Sequence, residues 1–301
     1  VKTAVVHDWL TGMRGGELVL EEILDLVPDP TIFTLFHFPG SVSPRIERVP
    51  IVTSWLSRLP ITRGNYRNLL PLFPAAVESF DLRGFDLVVS SSHCVAKGAV
   101  ARDGARHLCY CHTPVRYAYD QFDAYFPRGA TRAYALKKFL IGRLRRWDRR
   151  TAGRPDRYLA NSTRVAERIR AAFEREADVV FPPVDTEFFT PSTAAPEDYA
   201  LCVGALVPYK RFDRAIEWSR RSGRPLRIVG GGPEERRLRE TAPSSVSFEK
   251  ELSREDLRER YRRCAFFLQP GEEDFGIASV EAQACGRPVV ALGRGGAADV
   301  V

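Results

Sequence analysis

The sequence predicts an α/β protein made of two doubly wound, parallel-sheet domains. Three observations carry that prediction. Short Val- and Ile-rich runs alternate with longer amphipathic patterns, as βα units require. The runs fall into two series separated by the loop "DTEFFTPSTAAPED". At 301 residues the chain also exceeds one ordinary core, so two domains are the natural division.

The strand candidates of the first series are "TAVVHDW", "TIFTLF", "IVTSW", "DLVVSSS", "RHLCYCH", "RYLANS" and "ADVVFPPV". Those of the second are "YALCVGAL", "PLRIVGGG", "VSFEKEL", "CAFFLQP" and "RPVVALG". The Pro-, Ser- and Thr-rich loop near 185–198 marks the boundary, giving an N-terminal domain over 1–184 and a C-terminal one over 185–301. The second series ends as a helix begins at "GGAADVV". A doubly wound domain normally continues further, so a C-terminal domain that is incomplete is expected.

Composition is that of a globular protein, 44% hydrophobic and 28% charged. No run of 18 apolar residues is present, which predicts no membrane-spanning helix. The start, "VKTAVVHDWL", reads as a strand and not as a signal peptide. Six cysteines lie scattered in apolar runs and read as reduced packing residues of a cytoplasmic protein. The net charge of +7 is local: residues 127–157 hold eleven Lys/Arg against two Asp, or +9, leaving −2 on the rest. Tyr134, Leu136, Phe139, Leu140, Ile141, Leu144 and Trp147 interleave those cations. That pattern fits either a solvated outer helix face or peripheral contact with anionic lipid through 128–157. It lacks the helix-turn-helix, zinc or base-stacking patterns of nucleic-acid binders, so no nucleic acid is expected.

In open parallel sheets ligands bind beyond the carboxyl ends of strands, and five such ends carry unusual residues. "HDWLTGMRGGELVL" runs from a strand through Gly12, Gly15 and Gly16 into a helix, a turn that lets backbone N–H groups approach an anion. It matches neither the dinucleotide fingerprint nor a P-loop. "LCYCHTPVRYAYD" ends a strand on His112, a donor or acceptor for sugar or phosphate near neutral pH. Cys109 and Cys111 beside it offer no second half-site for metal, because alternation along a strand splits the ligands. "VGALVPYKRFDRAI" places Lys210 and Arg211 in the first turn of a helix, two cations suited to a diphosphate. "LRIVGGGPEERRL" closes a strand on Gly230, Gly231 and Gly232. "CAFFLQPGEEDFGIASVEAQACGRP" is strand, Glu273, a helix start at Phe275-Gly276, and then Glu281 about one and a half turns in.

That last arrangement resembles the Glu, seven residues, Glu motif of family 4 retaining glycosyltransferases, which have the GT-B fold of two Rossmann-like domains facing across a cleft. "VGALVPYKRFDRAI", "CHTPVRYAYD" and "PPVDTEFF" are similar to bacterial mannosyltransferases of O-antigen and related polysaccharide synthesis. The resemblance implies a retaining, metal-independent hexosyltransferase with no cofactor, taking a nucleoside-diphosphate sugar, GDP-mannose above others. The acceptor expected is a glycan or polyprenyl-linked hydroxyl, and the +9 segment fits one at the inner face of the cell membrane. The resemblance also implies an acceptor-side role for the first domain and a donor role for the second.

Its implied site roles map onto this chain as follows. Glu273 meets hydroxyls of the sugar, and the N–H groups of Phe275, Gly276 and Ile277 approach sugar and diphosphate. Glu281 holds the ribose, and Lys210 with Arg211 neutralises the leaving diphosphate; apart from the resemblance, the glycine-lined edge at Gly231 reads either as a place for a flat base or ribose or as a plain strand-to-helix turn. His112, Gly15 and Gly16 close over sugar and phosphate from the other domain. Ala205 stands where many relatives have Arg, which puts more of the phosphate charge on Lys210 and Arg211. Absence of an Asp-x-Asp pair fits cations in place of a divalent ion. Two rival readings remain: a retaining glycosidase, whose carboxylates would stand about 5 Å apart across one bond, and a non-catalytic nucleotide-sugar or membrane-docking module.

Overall fold

The computed structural model describes residues 1–126, 132–250 and 252–301. It divides into two compact units, Val1–Pro183 and Val184–Val301.

The first unit runs β1 (Thr3–His7), α1 (Gly15–Leu26), β2 (Pro30–Thr34), α2 (Pro44–Glu47), β3 (Ile51–Thr53) and α3 (Phe73–Glu78). It continues with β4 (Leu87–Ser92), β5 (Arg106–Cys111), α4 (Arg116–Tyr119), α5 (Phe122–Tyr125), α6 (Arg132–Arg150), β6 (Arg157–Ala160), α7 (Thr163–Phe173) and β7 (Ala177–Val179). All seven strands are parallel, in the order 3-2-1-4-5-6-7. Chain direction along the sheet therefore reverses between β1 and β4, which opens a crevice at their carboxyl ends.

Helices cover both faces, which explains why the strands read as near-continuous apolar runs instead of alternating. Ala4 and Val6 face one core with Phe33, Val88 and the buried side of α6, Ile141, Leu144 and Trp147. Val5, between them, faces the other with Ile32 and with Leu20 and Leu24 of α1. Cys109 and Cys111 point together into a third cluster with Tyr158 and Phe173. All six cysteines are buried free thiols.

A Lys–Asp pair is buried inside this unit. Lys97, 2% exposed, reaches Asp148 of α6 at 2.9 Å. Its ammonium also donates to the Asp148 carbonyl at 2.7 Å and to Thr151 Oγ1 at 3.1 Å. Tyr119 donates its hydroxyl to the other carboxylate oxygen at 2.9 Å. Burial raises the Asp148 pKa even against the attraction of Lys97. The pair pins the basic helix α6 to the loop after β4.

The second unit runs β8 (Ala200–Val203), α8 (Phe212–Ser222), β9 (Leu226–Val229), α9 (Glu235–Thr241), β10 (Val246–Glu249), α10 (Arg254–Arg263), β11 (Phe266–Gln269), α11 (Ile277–Ala284), β12 (Val289–Ala291) and α12 (Ala297–Val300). Its five parallel strands lie in the order 10-9-8-11-12, so the reversal falls between β8 and β11. Alternation on β8 again splits two cores. Ala200 and Cys202 face Phe212, Ala215 and Ile216 of α8, while Leu201 faces Tyr261, Phe267 and Ala282.

The basic segment is described from Arg132 onward; 127–131, with Arg128, lies outside the described residues. On α6 the outward side carries Leu136 and Phe139, 58% and 55% exposed, and the Arg143 guanidinium stacks over Phe139. Among the described residues no helix is long and apolar enough to cross a membrane.

Candidate active site

Both crevices predicted by strand order carry the residues singled out in the sequence, and each unit is described by itself.

In the second unit the loop after β8 holds Lys210. The expectation that Lys210 and Arg211 lie in the first turn of a helix needs correction. Pro208–Lys210 form a short 3-10 turn, and Arg211 takes a left-handed conformation, φ 53°, before α8 begins at Phe212. Pro208, with its fixed φ and missing N–H, starts the turn, and the left-handed residue breaks it from the helix. The two cations then diverge. The Lys210 ammonium lies 2.9 Å from Glu273 Oε1, with both side chains largely buried. Arg211 turns back onto Asp213, its Nε and Nη2 donating at 2.9 and 2.8 Å.

Lys210 meets Glu273 because the loops after β8 and β11 pack backbone against backbone. A Cβ on Gly271 would stand 2.5 Å from Lys210 Cα and from the Tyr209 carbonyl oxygen. Only glycine allows that approach. Beyond it the chain turns at Gly276, φ 99°, which is the N-cap of α11 and offers no side-chain cap. The first turn of α11, with Ile277 at its head, thus leaves backbone N–H groups uncapped by any side chain, a ready anion site. Gln269 braces the turn from the end of β11: it accepts a hydrogen bond from Ser279 Oγ, and its amide would be 2.7 Å from a Cβ on Gly276.

Glu281 lies one and a half turns along α11. Tyr261 of α10 donates its hydroxyl to Glu281 Oε2 at 2.7 Å. Burial raises the pKa of Glu281, and the Tyr261 hydrogen bond and the charge of Arg254 offset part of that rise. Among the described residues no hydrogen bond or ion pair links Glu281 to Glu273 or Lys210; the partner of Glu281 is a tyrosine that carries no motif. The only sequence signal for Tyr261 is its apolar company, since its ring packs on Phe189 and Phe267. Gly231 follows β9, where a Cβ would approach Lys250 at 3.6 Å and Glu235 at 3.8 Å.

In the first unit, α1 starts at Gly15 with no side-chain cap. A Cβ on Gly16 would stand 3.8 Å from His112 Nε2 and from His7 Cε1, so the start of α1 lies over both imidazoles. His112 follows β5, and Ser91 Oγ lies 2.8 Å from its Nε2. Burial drives the His112 pKa well down, helped by the neighbouring His93 and His7. His112 is therefore a neutral imidazole near neutral pH. Asp8, next to His7, accepts four backbone N–H bonds from His93, Cys94, Val95 and Ala96 at 2.7–2.9 Å, tying the ends of β1 and β4 together. Among the described residues no group of three His, Cys, Asp or Glu could hold a metal ion.

Residues 29–188 match the family model described as Glycosyltransferase Family 4. Residues 184–301 match the one described as Glycosyl transferases group 1. A D-inositol 3-phosphate glycosyltransferase of Mycobacterium sp. (strain KMS) is 33% identical over 168 residues, covering 47% of this chain and 38% of its own. A GDP-mannose-dependent alpha-mannosyltransferase of Mycolicibacterium smegmatis is 32% identical over 166 residues, covering 52% of this chain and 44% of its own. The match thus spans less than half the length of these relatives. Among solved structures, Anabaena HepE in complex with UDP superposes with a TM-score of 0.71 over 100% of this chain and 83% of that one, at 17% identity. Sucrose-phosphate synthase from Thermosynechococcus elongatus gives 0.68 over 98% and 82%, also at 17% identity. At such identities these two likenesses speak for the fold.

Proposed function

The chain belongs to glycosyltransferase family 4, and from that premise we propose that it transfers a hexose from a nucleoside-diphosphate sugar to an acceptor hydroxyl with retention of configuration. The donor proposed is GDP-mannose, and the acceptor a glycan or polyprenyl-linked sugar at the inner face of the cell membrane. Similarity to a GDP-mannose-dependent mannosyltransferase supports the donor. The similarity to D-inositol 3-phosphate glycosyltransferases makes other nucleotide sugars necessary arms of any screen.

The observation that carries the reading is the Lys210–Glu273 pair beside the uncapped start of α11. Transfer breaks the C1–O bond and leaves negative charge on the departing diphosphate. A cation and a helix N-terminus aimed at one spot stabilise that charge without reorganisation. In this proposal the diphosphate draws Lys210 from Glu273, and Glu273 turns to sugar hydroxyls. Phe275, Gly276 and Ile277 present their N–H groups to sugar and phosphate, and Gly231 lines the nucleotide. Glu281, steadied by Tyr261, takes the ribose hydroxyls. Arg211, held by Asp213, contributes at longer range. His112 and the Gly15-Gly16 turn serve the sugar and its phosphate. The acceptor hydroxyl attacks the face that the diphosphate leaves, and its proton passes to that leaving group.

The glycosidase alternative needs two carboxylates flanking one bond. Glu273 bound to Lys210 and Glu281 bound to Tyr261 have separate partners, which disfavours it. The test is turnover: GDP-mannose with a polyprenyl-linked glycan should release GDP and give a product with the donor's anomeric configuration by NMR. Inverted product, or no nucleoside diphosphate released from any nucleotide sugar, overturns the proposal.

A further inference from the structure

The carboxyl end of β6 carries a buried amide that the reaction above does not use. Asn161 follows β6 directly and is 7% exposed. Among the described residues its Oδ1 is buried without a hydrogen-bond partner. A carbonyl in that state costs free energy that an apolar side chain of similar size would not, so the residue needs a reason to be polar. Two ordinary reasons fail. Helix α7 is capped by the next residue, Ser162, whose Oγ accepts from the Val165 N–H at 3.0 Å. Nor does Asn161 take the left-handed backbone that Asn tolerates; among the described non-glycine residues that conformation belongs to Asp29, Glu174 and Arg211.

Sheet register places the amide. Strands β5 and β6 pair in parallel, Tyr110 with Leu159 and Cys111 with Ala160. Paired residues share a face, and faces alternate along each strand. Cys109, Cys111, Tyr158 and Ala160 accordingly fill one core. The opposite face carries Tyr110 and Leu159 and, two residues on, His112 and Asn161. The rings of Tyr110 and His112 meet edge-on at 5.2 Å, and the start of α1 lies over His112 at Gly16. Asn161 thus extends, one strand further along the sheet, the row formed by the Gly15-Gly16 turn and His112. Thr3 and His107 also hold a buried side-chain atom without a partner. They stand near the amino ends of β1 and β5, away from the strand ends where parallel sheets bind ligands.

We propose that Asn161 is a further binding residue of this crevice and that its amide takes a sugar hydroxyl. A hydroxyl donates and accepts, so it can pair with the carbonyl or the N–H groups of an amide. A phosphate could meet only the N–H groups and would leave the buried carbonyl unpaired. The last torsion of Asn is soft, which lets the carbonyl turn to a ligand. The hydroxyl belongs either to the transferred hexose or to the acceptor glycan. That it is a sugar hydroxyl rests on the transferase reading; that the amide serves a ligand and not the fold does not.

Three measurements on the full chain test this. In urea unfolding without ligand, Asn161→Leu, of similar bulk, or Asn161→Ala should have a midpoint equal to or above that of the native chain. A lower midpoint in both would mean that the fold uses the amide, and would overturn the proposal. With GDP-mannose and a polyprenyl-linked glycan, Asn161→Ala should lower kcat/KM by about tenfold, the worth of one neutral hydrogen bond, while affinity for free GDP stays unchanged. The substrate whose KM rises is the one that carries the hydroxyl. An unchanged kcat/KM, or weakened GDP binding in the variant, overturns the proposal. By NMR, the Asn161 side-chain N–H signals, assigned by their loss in Asn161→Ala, should shift with GDP-mannose or with the free glycan and stay in place with GDP. If the native chain transfers no sugar, that shift would keep Asn161 as a binding residue while the transferase reading falls; no shift with either overturns the proposal.

Discussion

Tyr261→Phe removes one hydroxyl and keeps the ring that packs 5.8 Å from both Phe189 and Phe267, so its effect isolates the 2.7 Å hydrogen bond to Glu281. A hydrogen bond to a charged group is worth about 1.5–3 kcal/mol, and one between neutral groups about 0.5–1.5 kcal/mol. Ionised Glu281 therefore loses roughly 1 kcal/mol more than protonated Glu281, and its pKa, already raised by burial, should climb by about one further unit. The sign follows from linkage. Because the folded-state pKa lies above the unfolded one, the buried charge costs stability at high pH, and that cost fades as pH falls through the raised pKa. The variant should be less stable than the native chain by about 1.5–3 kcal/mol where Glu281 is ionised, the gap narrowing on acidification to the neutral-bond value. Carboxyl ¹³C NMR of labelled Glu reads the midpoint, and urea unfolding at two pH values reads the gap. A midpoint that stays or falls, or a gap that widens in acid, refutes this account of Glu281.

Lys97→Met leaves Asp148 buried without its cation and should cost about 3–5 kcal/mol in urea unfolding; adding Asp148→Leu should restore most of it, and a cost below about 1 kcal/mol for the single change would contradict the pair's role. For α6, replacing Arg145, Arg146, Arg149 and Arg150 by Ser should weaken cosedimentation with anionic vesicles by about 1 kcal/mol per charge near the surface, and unchanged binding would remove the membrane from the proposed function.

Much of the fold was legible because buried parallel strands write themselves as apolar runs. All twelve runs quoted from the sequence contain a strand, and the seven-then-five division follows the turn-rich loop. The Glu-seven-Glu element was equally clear, since Gly276 and the flanking Gly286 leave a helix no other bounds. What local pattern could not give was where side chains turn. Arg211 sits beside Lys210 in sequence, yet one left-handed residue sends it to Asp213. Tyr261, Ser91 and His7 read as core or strand residues. Ser91 and His7 reach His112 through sheet order and register, which pair positions 84 and 21 residues apart, and Tyr261 reaches Glu281 through the packing of α10 beside α11. The basic segment was visible as charge, but the exposure of Leu136 and Phe139 on its outer side required the packing of α6 on the sheet.

The central claim is that the crevice between β8 and β11 binds a nucleoside-diphosphate sugar through Lys210. Thermal unfolding of the full chain against a panel of nucleotide sugars tests it most directly. A donor at a hundred times its Kd stabilises by about 2.7 kcal/mol. GDP-mannose should accordingly raise Tm by several degrees in the native chain, and Lys210→Met, while remaining folded, should lose that rise. No shift with any nucleotide sugar, or a full shift in Lys210→Met, would contradict the account.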